Sequence, residues 1–142
     1  MQIIRIDTGN KISVHDFPEG SYSDQNKILR ELIGPRCELY ERVMPRRLYA
    51  ELGGSNKIEA EPGRCVSMLI DEEGLYHDLE VNVVGSYLYE TDKHGYPIVG
   101  NILIVGEMWG TEGIDFCGIA ENQFSVLFPR LKELTEKARD CR

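Results

Sequence analysis

Carboxylates, a histidine and an asparagine crowd into segment 71–82, DEEGLYHDLEVN, and catalysis or metal binding would use these residue types. A calcium loop needs oxygen ligands at alternate positions before its central glycine, whereas the three acids here are consecutive. A zinc site would need a second histidine one helical turn from His77, but the other two histidines lie in separate segments. The spacing therefore predicts no metal site.

Catalytic patterns are equally missing from the sequence. His77 and Asp78 are adjacent, and adjacent residues of a strand face opposite sides of a sheet, so they would not form an acid–base dyad. The cysteines in CVSM and FCGI lack the G-x-S-x-G form of a nucleophile elbow. The glycines of VGNILIVGEMWGTEG match neither the dinucleotide fingerprint nor the phosphate-binding loop. We therefore expect neither an enzyme nor a cofactor.

The same segment is typical of a β-hairpin. The apolar run RCVSMLI leads into the corner DEEG, whose glycine would accept a positive φ, and LYHDLEVN would return as the second strand. Asp71 would brace the turn through the backbone, and Glu72 and Glu73 would lie at its tip in water. Asn82 would either end the second strand or line a pocket, since a buried amide needs hydrogen-bond partners.

The net charge of −8 is unevenly distributed along the chain. Residues 65–129 contain eleven acids and a single base, Lys93, which gives this block a charge of −10. Binding to nucleic acid depends on Lys and Arg, so the block disfavours nucleic acid as a direct partner. It favours a basic protein partner attracted over long range, although the acids could also serve solubility alone.

The hydrophobic pattern predicts one α+β domain over residues 1–142, a mostly antiparallel sheet with helices packed on one face. QIIRI and KISVHDF read as a hairpin, and a helix capped by Ser23 or Asp24 continues to IGP. CELYERVM and GSYLYE resemble strands, and IVGNILIVGE, the most apolar run, should be a central strand.

Three further segments complete this prediction. Residues 45–64 read as an irregular, mobile insertion with a short helical turn at LYAEL. MWGTEGIDFCGI reads as a glycine-rich loop. The C-terminal segment is helical, with Pro129 at a break or a first turn and a buried stripe formed by Leu127, Phe128, Leu131 and Leu134.

Cysteine usage and hydropathy predict a cytoplasmic protein. The four cysteines contain no C-x-x-C pair, and no secretion signal precedes them, so we expect reduced thiols rather than disulfides or zinc. No apolar run approaches the roughly 20 residues that a membrane span needs.

The order of motifs resembles a small family of phage and mobile-element proteins known only as a domain of unknown function. The shared pattern is the turn Asp71–Leu75, the pair Val81 and Asn82, the strand Gly100–Gly106, and the element Asp115, Phe116 and Gly118. The resemblance implies a cytoplasmic setting in a bacterial host. It also implies an accessory role, such as disarming host immunity.

Two functions follow as hypotheses. The first is a non-catalytic counter-defence inhibitor whose acidic surface occludes the basic nucleic-acid channel of a host defence protein, with carboxylates standing in for phosphates. Trp109, if it is not a core residue, would be an aromatic anchor beside the acids. The candidate acids are Glu72, Glu73, Asp78, Glu80, Glu90, Asp92, Glu107 and Glu112.

The second hypothesis is a small-molecule binder that sequesters a signalling nucleotide. Arginine would grip phosphate and an aromatic ring would stack on a base. The candidates are Arg64, Asn82, Tyr87, Asn101 and Trp109. A homodimer formed through an exposed strand edge would be compatible with either function.

Overall fold

The most apolar stretch of the sequence forms the strand to which the rest of the sheet is attached. In the computed structural model, which describes residues 1–141, this strand is β5 (Ile102–Gly110), and residues 102–107 are all buried. β1 (Gln2–Ile6) and β4 (Cys65–Asp71) pair with it in antiparallel register on opposite sides. The predicted central strand is therefore confirmed.

Three further strands complete a six-stranded sheet whose strand pairs are antiparallel throughout the described residues. β2 (Ile12–Asp16) pairs with β1, and β3 (Tyr40–Val43) pairs with β4, which gives the order β2-β1-β5-β4-β3. β6 (Gly113–Cys117) pairs with the far half of β5, on the same side as β1. The α+β class, the antiparallel sheet and the N-terminal hairpin are confirmed.

Helices cover both faces of this sheet, whereas the sequence was interpreted as placing them on one. Strand alternation sends Met68 and Ile104 to one face, where they form a core with residues of the third and fifth helices. Leu69 and Leu103 point to the other face and pack against Leu29 of the first helix. The helices are α1 (Tyr22–Ile33), α2 (Arg46–Ala50), α3 (Val83–Leu88), α4 (Thr91–His94) and α5 (Glu121–Asp140).

The ends of α1 and the course of α5 differ from prediction in detail. Ser21, rather than Ser23 or Asp24, is the N-cap of α1: its hydroxyl accepts the N–H of Asp24 at 3.1 Å, and the Asp24 carboxylate accepts the N–H of Ser21 in return. Pro129 lies inside α5 and does not break it. Pro129 is exposed, while residues Leu127 and Leu131 on either side are fully buried and hold the helix on the sheet.

Three segments were assigned to the wrong kind of element. No strand follows the DEEG corner, because residues 72–78 fold into successive turns, in which the N–H groups of His77, Asp78 and Leu79 donate to carbonyls of residues 73–75. GSYLYE is therefore not a strand, and its first residues belong to α3. The glycine-rich stretch 108–119 is mostly strand and not a loop, since Gly110 and Gly113 close the β5–β6 hairpin.

The segment predicted to be irregular, 45–64, is attached to the body of the protein. The short helical turn predicted at 48–52 is present as α2, which begins two residues earlier. Beyond it, Gln123 Nε2 donates to the carbonyl of Gly53 at 3.1 Å, and Arg130 Nη1 donates to the carbonyl of Leu52 at 2.8 Å. Both donors belong to α5, so this helix anchors the segment.

Of the helices in residues 1–141, none combines the length and the apolar character that crossing a membrane requires.

Candidate functional site

The DEEG corner is a rigid turn built around the carboxylate of Asp71, which is almost fully buried. Asp71 Oδ1 accepts the backbone N–H of Glu73 at 2.9 Å, so the predicted bracing of the turn is confirmed. Its Oδ2 lies 3.0 Å from Nδ1 of His77. The backbone N–H of Glu72 donates to the carbonyl of Leu39 at 3.0 Å, which ties the turn to the chain before β3.

Gly74 serves close packing and not the positive φ that the sequence suggested. A Cβ atom at this position would lie 2.7 Å from Cγ2 of Val99, so only glycine lets the turn lie against the 96–99 segment. The left-handed backbone of this turn occurs instead at Asp78, whose φ is 56°.

His77 finds its carboxylate partner six residues earlier rather than in the adjacent Asp78. The contact with Asp71 closes the turn on itself, and the carbonyl of His77 accepts a hydrogen bond from Arg36 Nη1 at 3.1 Å. In residues 1–141 no three side chains of His, Cys, Asp or Glu are arranged to hold a metal ion. The contact between His77 and Asp71 therefore has a structural role, which is to fix the turn.

The acidic residues predicted to form one surface are divided among separate regions. Glu72, Glu73, Asp78 and Glu80 stay together around the turn, and we call these four residues the acidic turn surface. Glu72, Asp78 and Glu80 are exposed and Glu73 is half-buried. None of the four carboxylates forms an ion pair with a described Lys or Arg.

Two of the remaining acids are neutralised near α2. Asp92 receives two hydrogen bonds from the Arg47 guanidinium, at 2.6 and 2.9 Å, and Arg47 lowers the pKa of that carboxyl. Glu90 lies 2.6 Å from Lys93 Nζ, and this hydrogen bond likewise lowers the pKa of Glu90. These residues retain little free negative charge for a partner.

Glu107 is buried and is not part of any surface, which corrects its place among the docking acids. Its side chain is inaccessible to solvent and forms a bidentate pair with Arg42, at 2.5 Å to Nε and 3.1 Å to Nη2. The thiol of Cys65 donates to the same carboxylate at 3.3 Å. Burial, followed by this hydrogen bond, raises the pKa of Cys65 to about 12.

Trp109 and Glu112 lie at the opposite end of the sheet from the acidic turn surface. β4 runs from Cys65, opposite Glu107, to Asp71 at the turn, a length of roughly 20 Å at 3.3 Å per residue. The β5–β6 hairpin tip extends beyond Glu107 in the other direction. Trp109 is exposed and is not a core residue. It lies too far from Glu72 for both side chains to contact one small site on a partner.

The candidates for a nucleotide site do not come together. Asn82 is fully buried: it caps α3 by accepting the N–H of Gly85 at 2.8 Å and donates to the carbonyls of Ile6 and Gly100. It therefore neither ends a strand nor lines a pocket. Arg64 pairs with Glu59 in the irregular segment, at 3.2 Å.

Tyr87 and Asn101 are also committed to contacts within the chain. The Tyr87 hydroxyl donates to Glu51, and the Arg47 guanidinium lies 4.6 Å from the centre of the Tyr87 ring. The Asn101 amide accepts the N–H of Thr8 at 3.2 Å and donates to the carbonyl of Ile33 at 2.8 Å. Four of the five candidates thus serve separate structural contacts, and the fifth, Trp109, lies apart on the β5–β6 hairpin.

Residues that the sequence did not single out surround the acidic turn. A cleft of about 310 Å³ lies between the turn, the start of β3 and the 96–99 segment. Glu41, Tyr76, Tyr89 and Tyr96 line it together with Glu72 and Glu73. Exposed tyrosines next to acids occur in many loops, so only the fold reveals that these side chains converge. A smaller depression of about 280 Å³ contains Asp78 and Glu80, and Asp71 lines both cavities.

Comparison with known proteins supplies no relative from which a role could be transferred, since no family model, curated protein or solved structure matches the chain.

Proposed function

We propose that this protein is a non-catalytic binding protein that docks through its acidic turn surface on a basic region of another protein. One observation carries the proposal. Of the eight acids predicted to face a partner, the four of the acidic turn surface combine proximity with carboxylates free of ion pairs among the described residues. Unneutralised carboxylates gathered at one end of a sheet create a local negative field that attracts a cationic surface.

The local charge supports a partner that normally binds nucleic acid. Residues 71–80 contain five acids and no Lys or Arg, and Arg36 is the cation held against this segment. Carboxylates form the same forked pairs with arginine that phosphates form, so such a surface can occupy a channel built for a phosphate backbone. The resemblance to mobile-element proteins extends this proposal to a counter-defence role against a host immune protein, in the bacterial cytoplasm.

A pull-down with two matched baits tests the docking surface. Cys141 is exposed whereas Cys37, Cys65 and Cys117 are buried, so the native protein can be immobilised through this one thiol. We expect the wild type and the control Glu112→Lys to retain basic proteins from bacterial extract at about 50 mM salt, and Glu72→Lys/Glu73→Lys to lose them. Retained proteins should be released by sheared double-stranded DNA, because DNA competes for the same basic channel.

Two results would overturn the proposal. One is equal retention of the same proteins by both charge-reversed baits, because the acidic turn surface would then contribute nothing. The other is retention that persists at about 500 mM salt and in excess DNA, since a contact built from exposed charges is screened under those conditions.

A further inference from the structure

We propose that the cleft beside the acidic turn is a receptor for a single arginine side chain presented by the basic partner. This inference rests on the proposed function and names the chemistry that the docking site recognises. The cleft lies between the turn, β3 and the 96–99 segment, and its volume of about 310 Å³ is large enough for one extended side chain but not for a folded element.

The cleft has an apolar floor and an acidic rim. Val43, Ile70 and Ile98 form the floor, and the carboxylate residues Glu41 and Glu72 stand at the rim with Glu73. Glu41 is the cross-strand partner of Ile70, so its position is fixed by the β3–β4 pairing. Long cationic side chains bury their methylene stem on apolar surface and keep the charged end at carboxylates, which matches this division.

The rim carboxylates are free to accept a cation. In residues 1–141 neither Glu41, Glu72 nor Glu73 has an ion-pair partner, and the described residues that line the cleft include no Lys or Arg. The backbone hydrogen bonds of Glu72 to Leu39 and of Glu73 to the Asp71 carboxylate hold the two acids in place before a partner arrives. A site organised in advance loses less entropy on binding.

Tyrosine rings supply the feature that selects arginine. Tyr76 and Tyr96 are 90% and 71% exposed although both line the cleft, and Tyr89 lies deeper. Tyr96 is positioned through its backbone: its N–H donates to Nδ1 of His94 at 3.2 Å, and its carbonyl accepts the Thr91 hydroxyl at 2.7 Å. His94 packs between the rings of Tyr89 and Tyr96, at 4.9 and 5.6 Å.

These rings distinguish a guanidinium from an ammonium ion. A guanidinium is planar, stacks on an aromatic face and forms two parallel hydrogen bonds with a carboxylate, whereas an ammonium ion is a compact, strongly hydrated point charge. Aromatic rings beside free carboxylates therefore favour arginine, and lysine would bind by charge alone. Anionic ligands are disfavoured by the three carboxylates at the rim.

The test compares two peptides of equal charge, acetyl-(Arg)₈-amide and acetyl-(Lys)₈-amide, by isothermal titration at low salt. We expect the arginine peptide to bind the wild type more tightly than the lysine peptide. Tyr76→Ala and Tyr96→Ala should each lower the affinity for the arginine peptide about threefold, and the double variant should lower it about tenfold. The affinity for the lysine peptide should change little. Tyr22→Ala, an exposed tyrosine 69% accessible on α1, is the matched control and should bind both peptides as the wild type does.

The outcomes separate this inference from the proposed function. Equal, salt-sensitive binding of both peptides, lost in Glu72→Lys/Glu73→Lys but unchanged in the tyrosine variants, would overturn the arginine receptor and leave the docking surface intact. Binding of neither peptide would overturn both. Because Tyr76 and Tyr96 are exposed, circular dichroism of their alanine variants should match that of the wild type. Glu41→Gln should weaken binding of the arginine peptide while the protein keeps its fold.

Discussion

Glu107 and the pair Glu72 and Glu73 belong to the same acidic block of sequence, yet the fold gives them opposite environments. Glu107 is buried in the sheet, pairs with the guanidinium of Arg42 and accepts a hydrogen bond from the thiol of Cys65. Glu72 and Glu73 are held by their backbone at the rim of a cleft and have no cationic partner among the described residues. One carboxylate stabilises the protein, and the other two are available to a partner.

The difference shows that a count of acids along a chain overstates the charge of a surface. Eleven acids against one base suggested a continuous negative face over residues 65–129. The cations that neutralise part of this block, Arg42 and Arg47, come from outside it, so the charge of the block alone did not reveal them. The turn keeps four neighbouring carboxylates without a cationic partner among the described residues, so pairing and position rather than composition define the docking site.

Removal of the cation from the buried pair should give the largest effect on stability. Arg42→Ala leaves the Glu107 carboxylate buried without its partner, and we expect the free energy of unfolding to fall by about 3 kcal/mol. Urea denaturation followed by circular dichroism measures the loss. The control Arg64→Ala removes an arginine from exposed pairs with Glu59 and Glu61 and should cost less than about 1 kcal/mol. Similar losses in the two variants would show that the buried pair is not special.

The turn should depend on close packing instead of ion pairing. Gly74→Ala would place a methyl group 2.7 Å from Val99, and we expect a loss of about 2 kcal/mol from the resulting displacement. Gly34→Ala is the control, because a Cβ there meets nothing within 4 Å and its φ of 173° suits any residue. Thermal unfolding compares the two. A Gly74→Ala variant as stable as Gly34→Ala would contradict the close approach between the turn and the 96–99 segment.

The thiol beside Glu107 should make stability fall at high pH. The pKa of Cys65 is about 12 in the folded protein against an ordinary value of 9.0, so the folded state holds a proton that the unfolded state releases. Its contribution is complete below pH 9 and is lost as pH rises toward 12, at up to about 1.4 kcal/mol per pH unit. Urea denaturation between pH 8 and about 10.5 measures the slope.

Cys65→Ala should reduce that slope, although Cys37 and Cys117, whose pKa values burial raises to about 11, contribute in the same direction. Cys141→Ser removes an exposed thiol and should leave the slope as it is in the wild type. A slope that is identical in Cys65→Ala and Cys141→Ser would argue against ionisation at the buried pair.

The smallest effect on stability is expected at the acidic turn surface. Glu72→Gln/Glu73→Gln removes two charges that have no partner within the described chain, and the free energy of unfolding should change by less than about 0.5 kcal/mol. The same variant should bind the octaarginine peptide much more weakly than the wild type does. A loss above about 1 kcal/mol without a change in binding would reverse the roles assigned to the two regions.

Strong periodic signals in the sequence predicted the frame of the fold. The apolar run at Ile102–Val105, the hairpin ending at Asp16 and the long C-terminal helix all lie where their patterns indicated. Failures occurred where tertiary contact decides the backbone. Residues 75–82 have apolar character suited to a strand, but Gly74 allows the chain to lie against Val99, and the N–H groups of residues 77–79 donate within turns.

The candidate site was predictable in part. Consecutive acids at a glycine corner correctly marked an exposed turn, and Asp71 braces it as expected. Glu41 and Tyr96, which complete the cleft, are separated from the turn by 31 and 22 residues, respectively, measured from Glu72 to Glu41 and from Gly74 to Tyr96. No local pattern links such distant residues, and their convergence depends on strand register and on the packing of α3 and α4.

The position of β5 as the shared partner of three strands has a consequence for biosynthesis. Ile4 of β1 pairs with Ile104 of β5, so β1 gains its second neighbouring strand only after one hundred further residues have been synthesised. Until the ribosome has released that stretch, β1 and β4 present apolar, unpaired edges. Folding of the sheet should therefore follow synthesis of β5, at a rate limited by this long-range closure.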